Sequence, residues 1–379
     1  RSIQRTRETV LIRNEGILQF YQPYHIEFDA SDAVPVVRLA RVIQRDGTVQ
    51  DVDPADILIT SSPSEHTDID DSRAVAIPLP GLKEGSILDI VYDEETKSWY
   101  SVGWSTRLFI PGVFPVLESI VEISSSPGLE MKCRGVGELP EPVETEVAGR
   151  RLLAWRMTDL EPIAIENFAP NVFELYPWVG VSTHLSIEAG IELYRQDFWS
   201  TIDASAPGVK ELAEKLTEGQ KGDRAKVEAI LKHVVESVQY VAIELGSGRF
   251  LPSKPEEIFQ RGYGDCKDMV ALMVSLFEAN GIEAEPVLLS DREGFKPVEG
   301  LAEPFIYTHV IVHTPGVDDL YIDPTAGSPC LSYLPVSLSG APGIVVPRKD
   351  KIRMVTIPET DRSQHGITLE ADLMPTPDN

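Results

Sequence analysis

The sequence predicts a multidomain α+β protein with an N-terminal antiparallel β-sandwich-like domain followed by a core of helices and strands. Three observations support this prediction. The chain has 379 residues, and at roughly 150 residues per domain this length indicates two or three domains. Short extended runs, separated by Gly, Pro and Asp about every ten residues, extend from Glu8 to Ser182. The pattern changes near Leu185, and helical periodicity from residue 209 onward is followed by further extended runs.

The N-terminal β-domain is predicted most clearly around Asp46-Gly47, which separates two extended runs within residues 41–50. This dipeptide is typical of a tight hairpin, because glycine and aspartate tolerate the backbone angles that such turns require. Further strands are predicted at residues 86–92, 116–123 and 151–157.

The later half is predicted to contain four helices followed by strands. The helices cover residues 209–216, a segment capped by Asp223, a short segment from Pro255, and residues 266–280 with Gly281 as the stop. The strands are expected at residues 284–289, 307–313 and 319–323. The resulting domains are residues 1–184, residues 185–346, and the start of a C-terminal β segment at residues 347–379, where the sequence is expected to break off within a longer protein.

The charge composition of the chain indicates which classes of binding partner are compatible with it. Sixty acidic residues against 34 basic ones give a net charge of −26. This charge argues against nucleic acids and anionic membrane surfaces, and it permits basic substrates, either polyamines or Lys-rich peptides and proteins. No run approaches 18 apolar residues, so no membrane segment is predicted in this stretch.

Cysteine content points to chemistry at a single thiol. Cys133, Cys266 and Cys330 are an odd, sparse set without a CxxC pair, so neither a disulfide framework nor a zinc site is predicted. The other histidines have no metal-ligand spacing, and no nucleotide-binding fingerprint is present. The sequence therefore predicts no metal and no cofactor. One cysteine with downstream His and Asp residues matches the pattern of a thiol nucleophile.

Cys266 is the candidate nucleophile because it begins a strongly apolar predicted helix after the run Gly262-Tyr-Gly-Asp-Cys266. Unpaired N–H groups and the positive end of the helix dipole favour a thiolate there, and the Cys266 N–H can face a developing oxyanion. Asp265 and Asp268 oppose the thiolate and Lys267 partly offsets them, so the sequence leaves the net effect open. A small buried residue at a helix start is the alternative interpretation.

His309 is the candidate partner of this thiol. In an extended run over residues 307–313, His309 and His313 share a face but lie roughly 13 Å apart, so only one can serve a single thiol. His313 adjoins the turn at residues 314–316 and is expected at the surface, which favours His309.

Asp323 is the candidate orienting carboxylate. It ends a short predicted strand one turn after the histidine strand. If the two strands form a hairpin, Asp323 returns beside His309 and can hold the tautomer of its ring. Asp318 and Asp319, in the connecting turn, are the rival carboxylates, and an Asp-Pro turn former is the structural alternative.

The order of a helix-start Cys, a strand His and a strand-end Asp resembles the transglutaminase-like superfamily within the papain-like cysteine enzymes. The matching motifs are Gly264-Asp-Cys-Lys-Asp268, Thr308-His-Val310 and Tyr321-Ile-Asp-Pro-Thr325, within a stretch from Leu185 to Val346. The layout is also similar to bacterial proteins that join an N-terminal β-domain of unknown function to this core. Such proteins are typically exported, so the resemblance implies a periplasmic or extracytoplasmic location.

The resemblance implies roles for these residues. Cys266 would be the nucleophile, His309 the general acid and base, and Asp323 the orienting group. Tyr240 is the candidate for a second oxyanion donor, with Gln239 as its rival. Animal transglutaminases have Gln-Cys-Trp where this sequence has Asp265-Cys-Lys267, so calcium activation and protein cross-linking are not expected.

Three functions follow from this interpretation. The favoured one is a cysteine protease or amidase that forms a thioester at Cys266, because hydrolysis needs no second binding site. A transglutaminase-type acyltransferase to an amine shares the same first half-reaction. A catalytically silent binding or scaffold protein of the cell envelope is the third, and the intact Cys, His and Asp weigh against it.

Overall fold

The chain divides by its internal contacts into two compact units in a computed structural model. The first unit comprises residues 1–104 with residues 241–251, and the second comprises residues 105–240 with residues 252–379. The structure describes residues 2–30, 33–62, 69–96, 103–110, 112–164, 166, 172–244, 248, 250–290 and 294–360. The boundaries predicted at residues 184 and 346 remain predictions, and residues 361–379 of the predicted C-terminal segment lie outside the described residues.

The first unit is built from antiparallel sheets. Its strands, in chain order, are β1 (Ser2–Leu11), β2 (Tyr24–Asp29), β3 (Val36–Ile43), β4 (Val49–Asp51), β5 (Leu58–Ser61), β6 (Ile69–Asp70), β7 (Ser72–Ile77) and β8 (Ile87–Thr96). One sheet has the order β1-β8-β3-β4 and a second has the order β2-β7-β5. Short 3-10 helices span Glu15–Phe20 and Pro54–Asp56.

The core of this unit lies between those two sheets. Alternate residues of one sheet, such as Val42 and Leu88, pack against Ile26 and Val75 of the other. This alternation is the pattern expected when each sheet buries one face. The hairpin predicted at Asp46-Gly47 is present between β3 and β4, where Ile43 pairs with Val49.

The second unit begins with further antiparallel sheets. Its first elements are β9 (Ser105–Phe109), β10 (Val116–Ser124), β11 (Lys132–Val136), β12 (Val143–Val147), β13 (Arg150–Leu160), α1 (Val172–Leu175) and β14 (Trp178–Ser182). They form two three-stranded sheets, one ordered β10-β13-β12 and the other β11-β14-β9.

Helices follow along the chain, all of them in the second unit. The elements are α2 (Ile187–Thr201), α3 (Pro207–Thr217), α4 (Asp223–Ser237), β15 (Gln239–Tyr240), β16 (Ile243–Glu244), α5 (Pro255–Arg261), β17 (Tyr263–Gly264) and α6 (Cys266–Ala279). The strand β16 belongs to the first unit, where it pairs with β6.

The positions of α3, α5 and α6 agree with the sequence analysis. Helix α4 begins one residue earlier than predicted, because Gly222 occupies the cap position and Asp223 is the first helical residue. Helix α2 was not predicted as a helix.

A five-stranded antiparallel sheet completes the second unit. Its strands are β18 (Glu285–Leu289), β19 (His309–Thr314), β20 (Leu320–Ile322), β21 (Pro342–Val345) and β22 (Arg353–Thr356), in the order β20-β19-β18-β21-β22. Short 3-10 helices span Pro324–Ala326 and Val336–Leu338. Helix α6 packs against β19. Strand β22 falls within the predicted C-terminal segment, and here it extends this sheet.

The predicted fold class is confirmed: antiparallel β structure comes first and a helical α+β core follows. Among the described helices, none has both the length and the apolar character needed to cross a membrane.

Strand β8 carries two carboxylates that bind arginines from both neighbouring strands. Asp89, which is 2% exposed, accepts hydrogen bonds from Arg7 at 3.0 Å and from Arg41 at 2.7 Å. Asp93 pairs in the same way with Arg5 on β1 and Arg38 on β3. These pairs link three strands across one face, and removing one member of a buried pair costs more than breaking an exposed pair.

We expect Asp89→Asn to lower the free energy of unfolding by about 1–3 kcal/mol at pH 7, because the buried charge-assisted hydrogen bonds are lost. Burial raises the pKa of Asp89, but Arg7 and Arg41 outweigh it and the net pKa is lowered. The contribution is therefore present above the unfolded pKa of roughly 3.9 and is lost as the pH falls through the folded value. The measurement is urea denaturation of both proteins between pH 3 and pH 7.

The matched control for Asp89→Asn is Glu144→Gln, which breaks an exposed pair with Arg151. We expect it to cost about 0–1 kcal/mol, since exposed pairs contribute little. Equal losses in the two variants would show that burial of Asp89 is irrelevant.

Candidate functional site

The backbone before Cys266 is shaped by two glycines. Gly262 ends α5 with φ +71°, a left-handed conformation that favours glycine. At Gly264 a Cβ atom would lie 2.6 Å from Cβ of Asp268, so a larger residue does not fit. The chain can therefore turn sharply from α5 into α6, and this turn places Cys266 at the first position of that helix.

Asp265 caps helix α6. Its carboxylate accepts hydrogen bonds from the N–H groups of Lys267 at 3.1 Å and Asp268 at 3.2 Å. The Cys266 N–H lies outside this cap. The helix start therefore offers an N–H donor and the positive end of the helix dipole at the residue that carries the thiol.

The two acidic neighbours of Cys266 are both paired with cations. Asp265 binds the ammonium group of Lys267, and Asp268 binds Arg261 and accepts the Ser253 N–H at 2.8 Å. Burial raises the pKa of Asp265, with Lys267 acting in the opposite direction. Lys267 was predicted as a partner for these carboxylates, but Arg261 was not, since its position in the last turn of the preceding helix is its only signal in the sequence.

His309 begins strand β19, and Asp323 follows strand β20 directly. The two strands form the predicted hairpin, with Val312 opposite Ile322, so that Nε2 of His309 lies 3.1 Å from Oδ2 of Asp323. The structure thus brings together the histidine and the carboxylate that the sequence analysis selected.

Thr325 holds the second oxygen of Asp323. Its N–H donates to Oδ1 at 2.9 Å and its hydroxyl donates to the same oxygen at 2.8 Å. Asp323 thereby caps the 3-10 helix that begins at Pro324, and its carboxylate is fixed on both sides. Thr325 was missed by the sequence analysis, although an Asp-x-Thr turn is a recognisable local pattern.

Electrostatics favour a charged His309 ring. Burial opposes that charge, but hydrogen bonds and charges from Asp323 and Cys266 outweigh it and raise the pKa of His309. Burial likewise opposes the charge on Asp323, and His309 and Thr325 lower the pKa of that carboxyl. Because Nε2 is directed at Asp323, Nδ1 is the ring nitrogen left for the Cys266 thiol. Such an arrangement can form a thiolate–imidazolium pair oriented by a carboxylate.

Tyr240 and Gln239, the candidate oxyanion donors, lie beside the Cys266 turn. They form strand β15, which pairs in parallel with β17 so that Tyr240 is opposite Gly264, two residues before Cys266. Both side chains are exposed, Tyr240 at 50%. The choice between them as an oxyanion donor stays a prediction.

The expectation that His313 lies at the surface is wrong. Its side chain is buried, with Nδ1 3.1 Å from Glu285 and Nε2 2.7 Å from Asp319. The ring stacks on Tyr321 at 4.5 Å, and Arg353 from β22 also binds Glu285. The rival carboxylate Asp319 therefore belongs to a separate network, which ties four strands together at the far end of the β19–β20 hairpin.

The other rival carboxylate, Asp318, pairs with Arg224 at the surface. The carboxylate at the His309 ring is that of Asp323, and the two rivals bind elsewhere.

The loop that leads into His309 is anchored by a buried ion pair. Arg107 on β9 binds Glu303 at 2.6 Å and the carbonyl oxygen of Lys296 at 2.7 Å, and both side chains of the ion pair are buried. The guanidinium group also stacks on Trp178 at 4.2 Å. These contacts fix residues 296–303 against the β11-β14-β9 sheet, and hence constrain the approach to strand β19.

The cysteines differ in their surroundings, and all three are free thiols. Burial raises the pKa of Cys133 to about 11, whereas Cys330 is exposed and a hydrogen bond with Ser332 lowers its pKa. Within the described part of the chain, no group of His, Cys, Asp and Glu is arranged to hold a metal ion.

Comparison with known families gives two matches. Residues 1–164 match the family described as a domain of unknown function with solved structure, DUF3857. Residues 210–310 match the transglutaminase-like superfamily, a range that includes Cys266 and His309 and ends before Asp323. A search among curated proteins gave no match.

Two solved structures are similar. The first is a "putative protease" from Parabacteroides distasonis, with a TM-score of 0.73 and 18% identity over 95% of this chain and 69% of that one. The second is a "putative cysteine protease" from Cytophaga hutchinsonii, with a TM-score of 0.30 and 12% identity over 67% of this chain and 88% of that one. The first likeness supports the fold described above.

We expect His313→Gln to destabilise the protein by roughly 3–5 kcal/mol near pH 5.5, because it leaves Glu285 buried with only part of its counter-charge. Burial lowers the pKa of His313, but the effect of Glu285 and Asp319 is larger, and the net pKa of His313 is raised. Burial raises the pKa of Glu285, but His313 and Arg353 lower it to about 2. The histidine contribution is present below roughly pH 6.5 and is lost as the pH rises through the folded value, whereas the glutamate contribution is lost as the pH falls from roughly 4.5.

Denaturation curves from pH 4 to pH 9 measure this effect, with His233→Gln as the matched control. His233 is half-buried and bonds Ser237 on its own helix, so its loss should cost about 0.5 kcal/mol or less. A His313→Gln penalty that is as large at pH 8 as at pH 5.5 would contradict the assignment of a charged His313.

Proposed function

We propose that this chain is a thiol-dependent acyl-transfer enzyme, and specifically a cysteine protease or amidase acting through Cys266; the match of residues 210–310 to the transglutaminase-like superfamily supports this proposal. The observation that carries the proposal is the position of His309. One ring nitrogen lies 3.1 Å from Asp323, and Asp323 and Cys266 both raise the pKa of the ring. A histidine that only stabilises the fold does not require a thiol beside it. A histidine that exchanges protons with a nucleophilic thiol must lie next to that thiol.

The first half-reaction forms a thioester. The Cys266 thiolate attacks the carbonyl carbon of an amide, and the carbonyl oxygen takes up the negative charge near the Cys266 N–H. His309 then transfers its Nδ1 proton to the nitrogen of the leaving amine as the C–N bond breaks. Asp323 holds the ring in place throughout and stabilises its charged form.

The second half-reaction decides between hydrolase and transferase. Water attacks the thioester carbon, gives its proton to His309, and releases a carboxylic acid and the Cys266 thiolate. A primary amine in place of water would give a new amide. We favour water because hydrolysis requires no binding site for a second substrate.

The preferred substrate is a peptide or protein with basic segments. The net charge of −26 raises the local concentration of cationic chains and repels acidic ones. This preference concerns association, and the chemistry at Cys266 is independent of it.

Iodoacetamide alkylation from pH 5 to pH 9, measured separately for each cysteine by peptide mass spectrometry, tests the activated thiol. We expect Cys266 to react rapidly at pH 6, and His309→Ala to slow that reaction at least about tenfold because the imidazolium partner is gone. Exposed Cys330 and half-buried Cys133 serve as internal references, and their rates should not change in the variant. A Cys266 rate that is indifferent to His309 would favour the catalytically silent alternative.

Mass spectrometry of a peptide library incubated with the enzyme and a primary amine distinguishes the two reactions. We expect cleaved products without amine adducts, and we expect their loss in Cys266→Ala. Asp323→Asn should reduce kcat/KM by roughly 10²–10⁴-fold, because the His309 ring loses its orienting charge. Amine adducts in place of cleavage would identify the transferase, and the absence of both products in all arms would contradict an acyl-transfer enzyme.

The control for Asp323→Asn is Asp318→Asn, which removes a carboxylate five residues away that pairs with Arg224 at the surface. We expect its kcat/KM to stay within about twofold of the parent protein, as is typical of a surface change away from the site. Similar losses in both variants would indicate general damage to the hairpin.

A further inference from the structure

The first unit contains a groove on the outer face of the sheet ordered β2-β7-β5. One face of this sheet packs into the core through Ile26 and Val75. On the opposite face, the register places His25, Ala76 and Leu58 side by side across the three strands. These three residues form the floor of a groove of about 870 Å³.

The walls of the groove are stiff and largely apolar. One wall is the segment Pro78-Leu-Pro80, and another includes Pro23. Proline fixes φ, so these walls lose little conformational entropy when a ligand binds. The volume falls within the range of roughly 300–1,000 Å³ that is typical of ligand sites.

The rim of the groove is acidic. Asp51, Asp53 and Asp56 line it, and the described residues of its lining include no Lys or Arg. Asp53 accepts the Ala55 N–H at 2.9 Å and so maintains the local turn. Asp51 and Asp56 are exposed, and their carboxylates are available to meet a cation at the edge of an apolar floor.

One residue of the floor is exposed, whereas Ala76 beside it is buried. Leu58 is 59% exposed although it sits within a strand. In the described part of this sheet β5 is the outermost strand on its side, so an extended chain can lie along it and pair with its backbone. An exposed apolar strand beside a carboxylate rim is a combination that favours a chain of alternating apolar and basic side chains.

We propose that this groove binds an extended, basic peptide segment. An apolar side chain of the peptide packs on Leu58 and Ala76 between the proline walls, and a neighbouring Lys or Arg binds Asp51 and Asp56. The site lies wholly within the first unit, and its binding is independent of the chemistry at Cys266.

Fluorescence anisotropy with a labelled octapeptide of alternating lysine and valine tests this proposal. The full chain carrying Cys266→Ala is used, so that binding is measured whether or not the parent protein is an enzyme. We expect saturable binding of this peptide at low salt. An octapeptide of alternating glutamate and valine should bind at least tenfold more weakly. Spermine, added as a competitor, should also bind at least tenfold more weakly than the lysine peptide.

Two variants locate the binding. Asp51→Asn with Asp56→Asn should weaken the lysine peptide at least tenfold, while leaving Asp53 to maintain the turn. Leu58→Lys, at an exposed position, should abolish binding by placing a cation on the floor. The charge-matched control is Glu15→Gln with Glu84→Gln, two exposed carboxylates that do not line the groove, and it should change the affinity less than twofold.

Each opposing outcome overturns the proposal. If both double variants weaken peptide binding equally, the peptide is attracted to the whole acidic chain and not to the groove. Spermine binding as tightly as the peptide would assign the rim to polyamines. Self-association that Leu58→Lys removes, detected by analytical ultracentrifugation without peptide, would assign the groove to a second copy of the chain.

Discussion

Helix α6 is buried on every side, and the rest of the second unit is arranged around this constraint. The residues from Met269 to Phe277 are all buried. A helix without a solvent face must be covered completely, so α3, α4 and α5 pack on one part of its surface and the five-stranded sheet covers another. The first turn of this helix carries Cys266, and β19 of the covering sheet carries His309. The demand for burial therefore brings the two reactive side chains onto facing elements.

Burial of this kind would be unfavourable for charged groups unless each has a partner. Asp265, Asp268, Glu285 and Glu303 are all buried, and each binds a cation from the same unit. The partners Arg261, Arg353 and Arg107 come from three different elements. Such pairs fix the register of neighbouring elements, because the removal of either partner leaves an uncompensated charge in a poorly solvated site. The acidic composition of the chain is thus compatible with a well-defined core around Cys266.

The first unit also pairs its buried carboxylates with cations from neighbouring elements. Asp89 and Asp93 bind arginines on both flanking strands, while the opposite face of that sheet packs on the apolar core. The second sheet of this unit leaves its outer face as an open groove. Under the two proposals, reaction chemistry and peptide recognition would reside in different compact units of the chain.

The sequence by itself determined the local features of this protein. Asp46-Gly47 specified a hairpin, Gly262 and Asp265 specified where α5 ends and α6 begins, and the spacing of His309 and Asp323 specified a hairpin that brings them together. These features depend on backbone preferences and on neighbours close in the chain. Only the tertiary structure decided that His313 is buried, that Arg261 neutralises Asp268, that β22 joins the sheet of the core, and that residues 241–251 belong to the first unit. The reason is physical: each of these outcomes is set by which distant surfaces exclude water together, and no local periodicity encodes that pairing.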